Sequence, residues 1–129
     1  MPGGITPSLE DYLETILEVA DAKGGARTTD IADRLGVSKA SVNQAVSQLA
    51  ERGLVRQERY GPVYLTELGQ ARAALVYKRH QAIKSFLMTV LGVSEATAED
   101  DACKIEHVLS RESMECLLDF MEKHHNASN

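Results

Sequence analysis

The sequence predicts a mainly α-helical protein with a small β-hairpin, built as an N-terminal winged helix-turn-helix over residues 1–73 and a helical C-terminal domain over residues 74–129. Three observations carry that prediction. Apolar residues recur at helical spacing in most of the chain. Two short helical segments meet at the turn Leu35-Gly36-Val37, the signature of a helix-turn-helix. The stretch Leu54–Leu65 then holds two β-prone segments around a Gly61-Pro62 turn and reads as a hairpin, or wing.

The elements follow in order. Thr6 before Pro7 reads as an N-cap with proline in the first helical position, and Leu9, Leu13, Ile16, Leu17 and Ala20 make an apolar stripe. A first helix is therefore expected to Lys23, stopped by Gly24 and Gly25. Thr28 and Thr29 open a short helix carrying Ile31, Ala32 and Leu35, which Gly36 ends. Ser38 caps a third helix with Val42, Ala45, Val46 and Leu49 on one stripe, ending at Arg52 and Gly53. After the hairpin, Thr66 caps a long helix to about Leu91, whose apolar face holds Val76, Ile83, Phe86, Leu87 and Val90. Ser94 and Ser110 cap two further helices, the last reaching about His124.

Composition narrows the function. The net charge of −5 does not suit a generic nucleic-acid binder. Its distribution does suit a local contact: five basic residues stand against two acidic ones between Arg34 and Arg59, whereas Glu10 to Asp21 holds five acidic residues and no basic one. One region suits an anion and another a cation. An aromatic content of 5% without Trp argues against a platform for stacking single-stranded bases. Two cysteines, no signal peptide and no apolar run of membrane length lead us to expect a cytoplasmic protein without a membrane partner.

On the third helix, Ala40, Ser41, Asn43, Gln44, Ser47 and Gln48 lie opposite the apolar stripe. Short polar uncharged side chains suit base edges in a major groove, where Asn and Gln pair with adenine and Ser both donates and accepts. Lys39, Arg52, Arg56 and Arg59 flank that face and suit phosphates. Alone the stripe would be an ordinary solvated face. The preceding short helix, the glycine turn and the following wing favour double-stranded DNA.

A second surface suits a cation. Cys103, Glu106 and His107 stand at i, i+3 and i+4 in a segment opened by Glu99, Asp100 and Asp101, with Ala102, Ile105 and Val108 on the other face. A thiolate, a carboxylate and an imidazole from one helical turn form a credible ligand set for a divalent transition metal, although a free cysteine is commonly a buried small apolar residue. Asp11 and Glu14, three apart on the first helix, project opposite its leucines and fit either a ligand pair or a solvated face. His80, at the edge of the long helix's apolar face, fits a packing residue or an additional ligand. Cys116 reads as a packing residue.

The motifs Ser8-Leu9-Glu10-Asp11-Tyr12-Leu13-Glu14, Ile31-Ala32-Asp33-Arg34-Leu35-Gly36-Val37-Ser38 and Glu106-His107-Val108-Leu109-Ser110, in that order, resemble the diphtheria toxin repressor family of metal-dependent regulators, and within it the shorter manganese transport regulator branch. The resemblance implies a homodimer whose C-terminal helices form the dimerisation domain, a palindromic operator, and no SH3-like third domain. It implies Asp11, Glu14, His80, Cys103, Glu106 and His107 as metal ligands, and Ser38, Ala40, Ser41 and Gln44 as base contacts. Mn²⁺ or Fe²⁺ is the implied cofactor, with Zn²⁺ or Co²⁺ able to substitute, and metal-uptake genes the implied targets.

Cys103 departs from the manganese branch, which has glutamate there, while Asp11 departs from the iron branch, which has methionine. A thiolate favours softer ions, and the carboxylates favour Mn²⁺. Two other readings stand beside this one: a winged-helix regulator with a non-metal effector, and a small metal-dependent hydrolase. The sequence shows no nucleophile–base pair, so an enzyme is not expected.

Overall fold

A computed structural model describes residues 8–59 and 61–128, with side chains to His124. It divides into two compact units, residues 1–76 and 77–129. The expected cap at Thr6-Pro7 and the wing residue Tyr60 lie outside the described residues.

In the first unit, α1 spans Leu9–Val19 and is opened by Ser8 through a reciprocal capping box, in which Ser8 Oγ accepts from the Asp11 amide and Asp11 Oδ2 accepts from the Ser8 amide. The helix stops four residues short of Lys23. Asp21 is the reason: its Oδ1 accepts from the amides of Lys23 and Gly25 at 2.8 and 3.0 Å, giving the chain a turn that competes with another helical turn. The buried stripe is Tyr12, Leu13 and Ile16, whereas Leu17, expected inside, is exposed.

Helix α2 (Thr28–Leu35) ends where Gly36 adopts a left-handed φ of 66° and its N–H reaches the Ala32 carbonyl. Arg27, not a threonine, holds its N-cap position, without a side-chain hydrogen bond. Helix α3 (Lys39–Glu51) is capped by Ser38 as expected, its Oγ accepting from Ser41 N at 3.1 Å.

The wing is larger than a hairpin. Strands β2 (Val55–Gln57) and β3 (Val63–Leu65) pair antiparallel, and a two-residue strand β1 (Gly25–Ala26) adds to the free edge of β3, giving the order β1-β3-β2. Two residues are too few to leave a period-2 signal in sequence. The sheet and the three helices enclose one core that includes Leu13, Ile16, Ile31, Val42, Leu49 and Val63.

Helix α4 (Glu67–Ser85) begins against the wing. Thr66 Oγ1 donates to the Gly53 carbonyl at 2.7 Å and accepts from Gly69 N at 3.0 Å, while Thr66 N donates to the Leu54 carbonyl at 3.0 Å. Gly69 presses so close to that strand that a Cβ would stand 1.9 Å from Leu54 O. From Tyr77 the helix belongs to the second unit, and it closes in a π-helical turn, Phe86–Val90. Val90, expected on the apolar face, is exposed.

Helices α5 (Glu95–Ile105), capped by Ser94, and α6 (Arg111–Ser128) complete the second unit. Its core joins Ile83, Ala102 and Met114, with Leu87, Ile105, Leu109, Leu117 and Leu118 against them. Cys116, read from the sequence as a packing residue, is exposed within the single chain. Among the described residues no helix is long and apolar enough to cross a membrane.

Candidate metal centre and nucleic-acid interface

The small side chains Ala98 and Ala102, both fully buried, place the polar side of α5 along α4. His80 is the hub of the contacts that result. Buried on α4, it directs Nε2 to Glu99 Oε2 at 2.5 Å, while Nδ1 stands 3.6 Å from Glu106 Oε2 and 3.8 Å from Cys103 Sγ. One turn further along α4, Lys84 Nζ lies 3.0 Å from Glu99 Oε1.

Helix α5 ends at Ile105, with Glu106 at the C-cap, so His107 and Val108 lie in the turn beyond it. The expected single ligand face over Cys103, Glu106 and His107 is therefore divided. Cys103 turns to His80 and Glu99, while Glu106 lies between His80 and His107, with His107 Nε2 at 3.4 Å from Glu106 Oε1. Val108 is 79% exposed and packs on no face. Glu99 joins the site although no ligand role was expected of it. Its spacing of four from Cys103 and seven from Glu106 was the available signal.

Glu106 tests whether these residues fit a cation. Its side chain is 1% exposed, yet neither carboxylate oxygen has a hydrogen-bond partner. A buried carboxylate without hydrogen bonds is costly unless a positive charge compensates it. The separations of 3.4 and 3.6 Å to the two imidazoles suit an ion held between them, since two ligands about 2.1 Å from one tetrahedral ion stand roughly 3.4 Å apart. His80, Glu99 and Cys103 also bring ligand atoms within 4.8 Å of one another. The donor set of nitrogen, oxygen and sulfur suits a divalent transition metal.

Without metal, His80 is the compensating cation. Cys103 foremost, then Glu106, hold a proton on the imidazole and raise its pKa from 6.5 to about 11, against the opposing effect of burial. A group whose pKa is raised by folding stabilises the fold fully below 6.5, and that contribution is lost as the pH rises through about 11. A ligating imidazole is neutral, so if His80 held a metal ion it would give up this proton to do so. His80 alone should therefore strengthen metal affinity by about ten-fold per pH unit below pH 11. Calorimetry of Mn²⁺ binding in buffers of different ionisation enthalpy should register the released proton, and affinity independent of pH would contradict the assignment.

Asp11 and Glu14 lie on α1, in the first unit. Both are half-buried, and Asp11 Oδ2 is already engaged in the capping box. Truncating Asp11 thus removes a helix cap, worth about 1 kcal/mol, as well as any ligand.

On α3, Lys39, Ala40, Ser41, Asn43 and Gln44 are exposed in one run interrupted only by buried Val42. Ser38 and Ser41 use their hydroxyls within the cap, 3.0 Å apart. The guanidinium of Arg56 stacks 4.4 Å above the ring of Tyr64, its cross-strand partner, and lies 3.9 Å from Glu58. A shallow cleft of about 440 Å³ runs between Asn43 on α3 and Gln57, Glu58, Arg59 and Gly61 on the wing, with Thr28 at its edge.

A winged helix followed by a helical unit carrying a nitrogen, oxygen and sulfur ligand cluster fits the class of metal-responsive DNA-binding regulators. Residues 4–63 match the N-terminal DNA binding domain of the iron dependent repressors, and residues 66–127 match their metal binding and dimerisation domain. The chain belongs to the iron-dependent repressor family, and it is a metal-dependent transcriptional repressor. It is 39% identical over 120 residues to an HTH-type transcriptional regulator of Methanocaldococcus jannaschii, covering 92% of this chain and 96% of that one. It is 37% identical over 116 residues to the transcriptional regulator MntR of Salmonella typhimurium, covering 90% and 73%. Among solved structures it resembles the manganese regulator SloR, with a TM-score of 0.78 and 30% identity over 92% of this chain; it spans 55% of that chain.

Proposed function

We propose that the protein binds a palindromic operator as a homodimer when loaded with Mn²⁺ or Fe²⁺, and that it represses metal-uptake genes in the cytoplasm rather than acting as an enzyme. The buried carboxylate of Glu106, without a hydrogen bond and set between two imidazoles, is the observation that carries this reading. The ligand set proposed is Glu106, His107, His80 and Cys103 from the second unit with Asp11 and Glu14 from the first. The motif resemblance supports the last two. When bound, the divalent cation supplies positive charge to these anionic side chains.

The residues do the rest. Glu106, Cys103, Asp11 and Glu14 repel one another when charged, which disfavours any arrangement that gathers them. His80 gives up its proton as it becomes a ligand, so neutralisation by proton is exchanged for neutralisation by metal. Because Asp11 and Glu14 stand on the helix that packs against the winged helix core, their engagement orders the DNA-binding unit. A difference of about 1–3 kcal/mol between ordered and disordered states shifts the population roughly 5- to 150-fold. Two recognition helices held at the spacing of successive major grooves then bind together. On each, Asn43 and Gln44 read bases, with Ser38, Ala40 and Ser41 beside them, and Lys39, Arg56 and Arg59 hold phosphates.

Substituting the two classes of residue separates these roles. Gln44→Ala should change the preferred base at one operator position, at a cost of about 1–3 kcal/mol for the preferred sequence. Arg59→Ala should weaken binding to every sequence alike and reduce the slope of log affinity against log salt by about one. Binding measured on a randomised operator library in metal and in chelator tests both. An unchanged base preference in Gln44→Ala, or metal-independent affinity, would overturn the reading.

A further inference from the structure

The wing carries three residues in a row across its sheet. Arg56 on β2, Tyr64 on β3 and Gly25 on β1 stand directly opposite one another, so they share one face. Their strand neighbours Ala26, Val55 and Val63 are buried in the core, which puts the row on the solvent side. The guanidinium of Arg56 lies 4.4 Å over the Tyr64 ring, and the Arg56 side chain is 62% exposed. Gly25 makes room for the ring: a Cβ there would stand 3.2 Å from Tyr64 Cε1 and 3.0 Å from Pro62 Cβ. The ring thus fills the space beside Gly25 and in turn supports Arg56.

We propose that Tyr64 is a positioning residue for DNA binding, whose ring holds the Arg56 guanidinium in place for a backbone phosphate of the operator. The inference rests on the phosphate contact assigned to Arg56 above. An arginine side chain turns about several bonds, and fixing them on a ligand weakens binding by the freedom lost. A ring beneath the guanidinium restricts it before DNA arrives, so less freedom is lost on contact. Stacking is compatible with that contact, because the N–H donors of a guanidinium lie in its plane and a ring against its face leaves them for phosphate oxygens. Glu58 Oε1, at 3.9 Å from Arg56 Nη1, is too distant to hydrogen-bond that donor. Tyr64 brings no positive charge of its own, so it strengthens the contact without adding to the number of phosphates neutralised.

A double-mutant cycle on the full chain tests this. The probe is a duplex that the wild type selects from a randomised pool in saturating Mn²⁺. Its affinity is measured against salt for the wild type, Tyr64→Phe, Tyr64→Val, Arg56→Ala and the double variant Tyr64→Val/Arg56→Ala. Tyr64→Val keeps a strand-forming residue but removes the ring. It should weaken binding by about three- to ten-fold and leave the slope of log affinity against log salt unchanged, since no charge is lost. Arg56→Ala should reduce that slope by about one, and adding Tyr64→Val to it should cost nothing more. Tyr64→Phe, which keeps the ring, should match the wild type. Should Tyr64→Val melt below the assay temperature, Tyr64→Leu takes its place. Wild-type affinity in Tyr64→Val, an equal further loss in the Arg56→Ala background, or a Tyr64→Phe as weak as Tyr64→Val would overturn the inference and leave the phosphate contact of Arg56 standing. An Arg56→Ala protein with the affinity and salt slope of the wild type would overturn that contact and the inference together, as would a wild type that selects no duplex in Mn²⁺.

Discussion

Glu106→Gln is expected to abolish metal-dependent operator binding while changing the melting temperature of the metal-free protein by only a few degrees. The two halves of that result have separate causes. The carboxylate is the buried group nearest both imidazoles, and its neutral isostere supplies neither the charge nor the paired oxygens an ion requires. Loss of such a ligand should weaken metal affinity by about 100-fold or more, beyond the 10–100-fold typical of residues that only support a ligand. Stability is spared because no charge is left stranded. Without Glu106 the His80 ring keeps Glu99 Oε2 at 2.5 Å and Cys103 Sγ at 3.8 Å as partners, and an unbonded buried amide costs less than an unbonded buried carboxylate. The net change should be about 1 kcal/mol. Metal titration followed by operator binding, alongside thermal melting in chelator, tests both. A variant that retained the metal response, or that unfolded without metal, would contradict the role assigned to Glu106.

Gly69→Ala is expected to destabilise the winged helix by about 3 kcal/mol or more, against what helix propensity predicts. In an exposed helix interior the same change would stabilise by about 1 kcal/mol. Here the added methyl would meet Leu54 O at 1.9 Å and Leu65 Cδ2 at 3.3 Å. The carbonyl cannot easily withdraw, because it also accepts from Thr66 N at 3.0 Å, and Thr66 ties the same corner to Gly53. Relief requires moving the start of α4 off the wing, which breaks those bonds and opens the packing. Denaturant melts of the two proteins decide the matter. An alanine variant as stable as the wild type would mean that α4 does not press on the wing as described.

Gly69 marks a limit of what the sequence discloses. Nothing in its helical surroundings marks the contact, because close approach of a distant strand leaves no local signal. Local chemistry, by contrast, was legible. Ser38, Gly36 and Gly92 stand where caps and left-handed turns require them, and the buried positions of α3 repeat with the period of the pattern that predicted them. Where local rules competed, the stronger won. Asp21 ended α1 before the glycine pair could, and β1 formed from two residues only because β3 offered an edge.

The metal centre was legible as residue types and less so as an arrangement. Cys103, Glu106 and His107 share a helical spacing, but the helix ends at Ile105, so the three do not face one way. The contacts that organise the centre instead run between α4 and α5, through His80, Lys84 and Glu99. Those pairs are separated by fifteen or more residues in sequence, and only packing of the two helices reveals them. His80 shows the difference most clearly, since a lone histidine on an apolar stripe becomes the group on which the thiol and both carboxylates converge.

The central claim is that metal binding at this cluster controls DNA binding. The most direct test is an anaerobic titration of operator affinity against free Mn²⁺ and Fe²⁺ at fixed ionic strength, with chelator as the zero point. Affinity should rise at least ten-fold as the metal saturates and fall back when chelator is added. The same affinity with and without metal, in a protein that remains folded, would contradict the claim.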